Sequence, residues 1–491
     1  MSRLNITFCS FPDFSGNAKA LYEYMLSKNN KNFNFVWIVY EQKSYEILKK
    51  KNINVILIGS DKFREYIKKT DVFFTTQGNL DGDKTDKSLY VELWHGIGPK
   101  PVGYACKNPS KEDIRGYNNM RKIFDYIIVP NDFWKIIFSA IFNVECDRIK
   151  SLGMPLFDYF AYSNGTENLS KVLETDIKKY KKIIMYMPTY KNGFNHEDIS
   201  LINDKNIFNF EEYNEYELDQ FLKENNYLLC VKRHPGDKTQ YQNYESENIK
   251  NINEEMLIKN NVSVNEIINA FDMMITDYSS IGTEFLFFDR PILYAIDDFE
   301  EYDKNRGIIF SNIDFWTAGP VVSTIEDLIN ETNKLLTDDN YYKKEREEKS
   351  NLMISGLKNG GCEQIYNFLF DENGNINKNV VYYKNPENCL KRKLDETENI
   401  NNNLKLNLES KQEEIDMIVN SAFSKSFTIL STPSPVSVNI YLITFKSISS
   451  CISNDLCNEL IYCFDLYKGH ITVTDIIILH FNFQFILRLL F

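Results

Sequence analysis

Short apolar runs alternate with amphipathic segments along the first 155 residues, and this alternation restricts the fold more than any other feature of the sequence. Each run is short, apolar and bounded by polar residues, which is typical of a buried strand. Strands that alternate with helices need crossover connections and therefore form a parallel sheet covered on both faces. The predicted strands are Leu4–Phe8, Phe35–Tyr40, Val55–Ile58, Val72–Thr75, Tyr90–Trp94 and Tyr126–Val129, and the predicted helices include Lys19–Leu26, Tyr45–Lys50 and Phe63–Lys69.

The same alternation restarts after a polar stretch at Ser163–Lys182. We therefore predict the α/β class, with two Rossmann-like domains that face each other across a cleft, residues 1–155 and 156–375. Parallel sheets bind ligands beyond the carboxyl ends of their strands, so the cleft is the expected site. The second-domain strands are predicted at Ile183–Met187, Leu228–Lys232, Met273–Thr276 and Pro291–Ala295, with helices at Glu217–Glu224 and Ser263–Ala270.

The character of the chain changes beyond about residue 375. Residues 376–420 are polar and carry leucines at rough helical spacing, which predicts a helical extension. Residues 421–491 form a tail to which the sequence assigns no role. Within it, Ile476–Phe491 is apolar but shorter than the roughly 20 residues of a spanning helix.

Charge and cysteine usage exclude several classes of protein. The net charge of −13 argues against general nucleic-acid binding, which depends on neutralising phosphates. Nine scattered cysteines form no CxxC pair and no zinc-ligand spacing, so free thiols in a reducing compartment are expected. The N-terminus lacks the apolar region of a signal peptide. We therefore expect a cytoplasmic protein.

A glycine-rich loop after the strand that ends at Trp94 carries a histidine and a lysine, His95 and Lys100. Histidine titrates nearest neutrality, so it suits removal of a proton from an alcohol. The alternative is a loop histidine that only forms hydrogen bonds with backbone. The adjoining glycines and Lys100 make the two interpretations about equally favoured.

Two further segments predict binding of an anion. Arg233 and His234 follow Lys232 at the end of an apolar run, and guanidinium and imidazole groups both bind phosphate oxygens. Thr276, Ser279 and Ser280 lie where another strand passes through a hydroxyl-rich turn into a helix. Free N–H groups at a helix start, together with hydroxyls, can hold a phosphate, although helix capping explains part of this pattern.

Arg306, which precedes Gly307, could add a cation, but a lone arginine is more often a surface residue. The chain has no P-loop, no GxGxxG after a strand, no HExxH and no GxSxG. We predict no cofactor and no bound catalytic metal.

Several motifs follow one another in a fixed order along the chain: Gly16–Tyr22, Trp94-His95-Gly96 with Lys100, Gly153-Met154-Pro155, Met187–Tyr190, Arg233-His234-Pro235, Thr276–Ser280, Arg306-Gly307 and Gly319-Pro320-Val321. Together they resemble the CDP-glycerol glycerophosphotransferase (teichoic acid polymerase/primase-like) family over roughly residues 6 to 368. Their order and spacing make the resemblance specific. The sequence differs from the family at Ile97-Gly98-Pro99, where a Thr-Pro pair is usual, and at Glu284, often Asp.

The resemblance implies a GT-B-like transferase at the inner face of the cytoplasmic membrane. It would move glycerol phosphate, or a related polyol phosphate, from a CDP-linked donor to a polymeric or lipid-linked saccharide acceptor and release CMP. His95 and His234 would be the catalytic pair. The expected diphosphate ligands are Lys100, Arg233, Thr276, Ser279, Ser280 and Arg306.

A separate resemblance, to two-domain nucleotide-sugar transferases, makes Glu284 a candidate ribose ligand. Two alternatives stay open at this point. One is a glycosyltransferase that uses a nucleotide sugar, and the other is a scaffold without catalysis that binds a membrane or a partner. The sequence leaves the oligomeric state undetermined.

Overall fold

The computed structural model describes residues 3–77, 87–189, 206–208, 210–233, 244–310, 312–356, 360–380 and 382–383. All of them belong to one compact unit, Met1–Asn385. The second unit, Pro386–Phe491, lies outside the described residues, as do most of the predicted helical extension at 376–420 and the whole predicted tail at 421–491. No helix in the described ranges has the length and apolar character needed to cross a membrane.

The first sheet has seven parallel strands in the order β3-β2-β1-β4-β5-β6-β7. Its inner strands are buried along almost their whole length, as expected for a sheet covered on both faces. The strands are β1 Leu4–Cys9, β2 Phe33–Val39, β3 Val55–Leu57, β4 Val72–Thr75, β5 Leu89–Glu92, β6 Tyr126–Val129 and β7 Ile149–Ser151.

The second sheet has six parallel strands in the order β10-β9-β8-β11-β12-β13. The strand order changes direction between β8 and β11. A change of direction of this kind creates the crevice where open α/β sheets bind ligands. The strands are β8 Lys182–Tyr186, β9 Tyr227–Val231, β10 Ile249–Asn251, β11 Met273–Thr276, β12 Ile292–Ala295 and β13 Val321–Val322.

Helices connect the strands, and asparagine lies at the start or at the end of several of these helices. Asn131 and Asn253 cap helix starts, and Asn143 and Asn226 adopt the left-handed conformation at helix ends, where glycine and asparagine are preferred. The helices are α1 Gly16–Ser27, α2 Gln42–Lys50, α3 Asp61–Ile67, α4 Lys111–Ile123, α5 Asp132–Phe142, α6 Leu156–Tyr162, α7 Gly165–Val172, α8 Glu215–Asn225, α9 Glu254–Asn260, α10 Ser280–Phe285, α11 Phe299–Asn305, α12 Ile313–Trp316, α13 Ile325–Thr337, α14 Lys343–Met353 and α15 Gly361–Leu369.

One predicted helix differs from the structure. Ser263–Ala270 forms two short 3-10 turns, Val264–Glu266 and Ile268–Ala270. In the first turn, Glu266 accepts hydrogen bonds from the N–H and the hydroxyl of Ser263. The same carboxylate pairs with the buried ammonium of Lys19 on α1, 2.5 Å away. This tertiary contact replaces the regular helix that the local sequence pattern favours.

The last described helix, α15, returns to the first domain. Ile365 and Leu369 are fully buried in the core of the first sheet, and the ring of Phe370 packs 5.1 Å from that of Phe33. Asp158 on α6 accepts hydrogen bonds from three consecutive N–H groups at the start of α15, those of residues 360 to 362. The first domain therefore completes its core with a helix that follows the second domain in sequence.

Candidate active site

The loop that carries His95 begins with a strained residue. Trp94 has a φ of +55°, which is unusual for a bulky side chain. Glu92, fully buried at the end of β5, accepts a hydrogen bond from the Trp94 N–H at 2.8 Å and another from the Thr75 hydroxyl at 2.6 Å. The Asn17 amide, on α1, donates to the Trp94 carbonyl at 2.9 Å. These contacts hold the backbone in a conformation that would otherwise cost about 1–3 kcal/mol, and they fix the direction of the next residue.

His95 has the tautomer that a general base needs. Its Nδ1 lies 2.9 Å from the Thr76 carbonyl, which can only accept, so Nδ1 carries the hydrogen and the lone pair belongs to Nε2. The residue as a whole keeps part of its surface exposed, although protein surrounds the ring. The surrounding protein weakens the hydration of the charged ring and so lowers its pKa, the bond to Thr76 raises the pKa, and the charge of Lys100 lowers it further. The ring is therefore mainly neutral at pH 7.

The loop after His95 lies directly on the start of α10, so it joins the two sheets at the cleft. A methyl group added at Gly98 would come within 2.8 Å of the Ser280 Cα, and one at Gly96 within 2.5 Å of the Ser280 Oγ. Ile97 donates its N–H to the Glu284 carboxyl at 3.3 Å. The structure thus brings the His95 loop together with Ser279 and Ser280, the predicted phosphate-binding turn.

Cationic side chains also lie close to this loop. Burial lowers the pKa of Lys100 to about 8, with the negative charge of Asp277 opposing this change and the positive charge of Arg306 adding to it. Arg233 and Asp277 both act electrostatically on Tyr186, whose pKa burial raises well above its ordinary value. The Ile309 N–H donates to the Pro99 carbonyl at 2.8 Å, which ties the Arg306 segment to the Lys100 loop. Lys100 therefore lies within electrostatic range of Asp277 and Arg306, and Arg233 and Asp277 both lie within electrostatic range of Tyr186.

The family described as CDP-Glycerol:Poly(glycerophosphate) glycerophosphotransferase matches residues 1–371. The chain belongs to this family. The predicted family and enzyme class are therefore confirmed.

Curated relatives agree with this assignment. The teichoic acid glycerol-phosphate primase of Bacillus subtilis is 28% identical over 336 residues, which cover 65% of this chain and 81% of the relative. The teichoic acid poly(glycerol phosphate) polymerase of Bacillus spizizenii is 25% identical over 332 residues, 65% of this chain and 80% of the relative. The solved structure of the wall teichoic acid polymerase TagF has a TM-score of 0.58 at 22% identity and covers 74% of this chain and 87% of that one. This likeness confirms the predicted fold of two Rossmann-like domains.

Two predicted ligands of this glycerophosphotransferase have protein partners in the structure. The Thr276 side chain is fully buried and its hydroxyl donates to the Met187 carbonyl at 2.8 Å. Glu284 is 3% exposed, and burial raises its pKa to about 8, opposed by the bond from Ile97. Their roles in diphosphate and ribose binding stay predictions.

His234, the second predicted catalytic residue, lies outside the described residues. Its neighbour Lys232 is buried and pairs with Glu254 at 2.6 Å. Arg233, the next residue of the predicted basic cluster, lies within electrostatic range of Tyr186. No group of three or more His, Cys, Asp and Glu side chains within the described segments is arranged to hold a metal ion.

Asp277 organises the site, although the sequence analysis did not assign it a role. Its carboxylate accepts hydrogen bonds from the Thr189 N–H at 2.8 and 3.0 Å and from the Ser279 N–H at 3.1 Å. It thereby joins the loops that follow β8 and β11. The signal was present in the sequence, because an Asp two residues before a serine at a strand end is typical of a turn in which the side chain bonds to backbone.

Proposed function

We propose that this chain transfers glycerol phosphate from CDP-glycerol to a hydroxyl of a teichoic acid type polymer or its lipid-linked primer, with release of CMP. The observation that carries the proposal is the position of His95. Its neutral ring sits on the loop that contacts Ser280, beside a site lined by Lys100 and Arg306. A proton acceptor next to cationic side chains and a helix start is the arrangement that phosphoryl transfer to an alcohol needs.

In the proposed reaction the acceptor hydroxyl attacks the phosphorus that bears glycerol. A new oxygen–phosphorus bond forms, and the bond from this phosphorus to the bridging oxygen of CMP breaks. His95 Nε2 takes the hydroxyl proton, and CMP leaves with the electron pair of the broken bond. Lys100, Arg233 and Arg306 stabilise the charge on the diphosphate, while the Ser279–Ser280 turn positions it.

Mass analysis of a donor screen tests the proposal. We expect release of CMP from CDP-glycerol, together with an acceptor that gains one glycerol phosphate unit. CDP-ribitol is the matched control for the polyol, because it carries the same nucleotide and the same diphosphate. Release of UDP or GDP from a sugar donor, with no CMP from either CDP-polyol, would show that the proposal is wrong.

The pH profile tests which groups carry the chemistry. His95 must be neutral to accept a proton, and its pKa lies below the ordinary 6.5, so we expect the acid limb of kcat/KM below pH 6.5. Lys100 must be charged to bind the diphosphate, so activity should fall as pH rises through about 8. In Lys100→Arg the side chain stays charged, and the alkaline limb should move to higher pH. An alkaline limb that stays in place would remove Lys100 from this role.

A lipid-linked acceptor would require contact with the membrane, which we propose to be peripheral. Flotation of the full chain with vesicles made of anionic and neutral lipids tests this part. Protein that stays at the bottom of the gradient with both vesicle types contradicts it, and leaves transfer to a free polymeric acceptor as the reaction.

A further inference from the structure

Glu284 connects the two halves of the site through a contact that the proposed chemistry does not use. It lies on α10 of the second domain, is almost completely buried, and accepts the N–H of Ile97 from the first domain. The residues on either side of Ile97 are glycines, and both lie against Ser280 closely enough that a methyl group would meet it. The Glu284 carboxyl, together with the lack of a side chain at Gly96 and Gly98, therefore allows one close contact between the two domains.

We propose that Glu284 is a positioning residue: it holds the 95–98 loop on the start of α10 and so sets the distance between His95 and the donor phosphates. This inference rests on the proposed function. It assigns Glu284 a role other than ribose binding, because its Oε1 is directed to the backbone of the opposite domain. Gly98 contributes to the same contact, because its lack of a side chain lets the loop reach the Ser280 backbone.

The chemistry of the contact suits a group that need not be charged. Burial keeps most of the Glu284 carboxyl protonated at pH 7, where an ionised group would be costly to bury. A neutral carboxyl still offers an oxygen that accepts from Ile97. Glutamine offers the same kind of acceptor at the same length, whereas alanine removes it and leaves the Ile97 N–H buried without its partner.

Four variants of the full chain test this role: Glu284→Ala, Glu284→Gln, Gly98→Ala and the double variant Glu284→Ala/Gly98→Ala. We expect Glu284→Ala to lower kcat for CMP release by about tenfold or more, with glutamine within about threefold of the wild type. Gly98→Ala should lower kcat similarly, because its methyl group would push the loop away from Ser280. The double variant should lose less than the product of the two single effects, since both disturb one contact. The Kd for CMP, measured by calorimetry, should stay within about twofold of the wild type.

Gly116 provides the matched control, because it lies in the exposed helix α4 and a methyl group there would meet no atom within 4 Å. Gly116→Ala should therefore keep the wild-type kcat. If Glu284→Ala weakens CMP binding and Gly98→Ala does not change kcat, Glu284 is a ribose ligand and the positioning role is wrong. Unchanged kcat in both single variants also overturns it.

Amide hydrogen exchange separates this inference from the proposed function. In Glu284→Ala the peptide that contains residues 95–98 should exchange faster than in the wild type, whichever donor the enzyme uses. A wild type that releases no CMP from any CDP-linked donor would refute the proposed function alone. Unchanged exchange in this peptide would refute the contact on which the positioning role depends.

Discussion

Replacing His95 by alanine should lower the kcat for CMP release from CDP-glycerol by about 10²–10⁴-fold, the usual contribution of a positioned general base. The reason is that the neutral ring, fixed by its bond to Thr76, offers the proton acceptor beside Lys100 and the Ser280 turn. CMP affinity should change little, because the ring removes a proton from the acceptor rather than binding the nucleotide. Steady-state kinetics and calorimetry on the same preparation measure the two effects.

The His95→Gln variant serves as the control for packing. Its amide can still donate to the Thr76 carbonyl, but it cannot take up a proton near neutral pH. We expect it to be as slow as alanine and to lose the acid limb of the pH profile. Activity close to the wild type in His95→Gln would mean that His95 positions the loop and that another group accepts the proton.

Replacing Leu369 by alanine should lower the free energy of unfolding by about 2–5 kcal/mol, the range for a large aliphatic side chain removed from a packed core. Leu369 is fully buried among residues of the first sheet, although it lies at the end of α15, after the whole second domain in sequence. The loss should therefore affect both domains together. Denaturant unfolding followed by circular dichroism and by intrinsic fluorescence measures it.

Gln364, which is exposed on the same helix, provides the control. Gln364→Ala should change the unfolding free energy by less than about 0.5 kcal/mol, as surface substitutions do. Two separate transitions in Leu369→Ala, with the second domain unaffected, would show that α15 does not couple the domains.

The strands were predictable because each is a short apolar run with polar ends. Val72–Thr75, Tyr126–Val129 and Met273–Thr276 have the predicted bounds, and other strands differ at their ends by one or two residues. The three short edge strands Ile149–Ser151, Ile249–Asn251 and Val321–Val322 were not predicted. None carries enough apolar residues to stand out from a loop, and each is fixed by pairing with a neighbour in the sheet.

The contacts that assemble the site were less predictable, because they join residues far apart in the sequence. The pattern around His95 indicated a loop histidine, but only the fold places Gly98 against Ser280. Local sequence likewise gave no indication that the Glu284 carboxyl would bind a backbone N–H of the other domain. Residue types and strand ends can be read along the chain, whereas the partners of a buried polar group depend on tertiary packing.

The return of α15 to the first domain has a consequence for synthesis. The ribosome makes the chain from its amino terminus, so the first sheet leaves the exit tunnel before the helix that covers part of it exists. Until residues up to Val380 have been translated, the nascent chain carries an apolar surface around Phe33 with no cover. Such surface is where growing chains bind chaperones or associate wrongly.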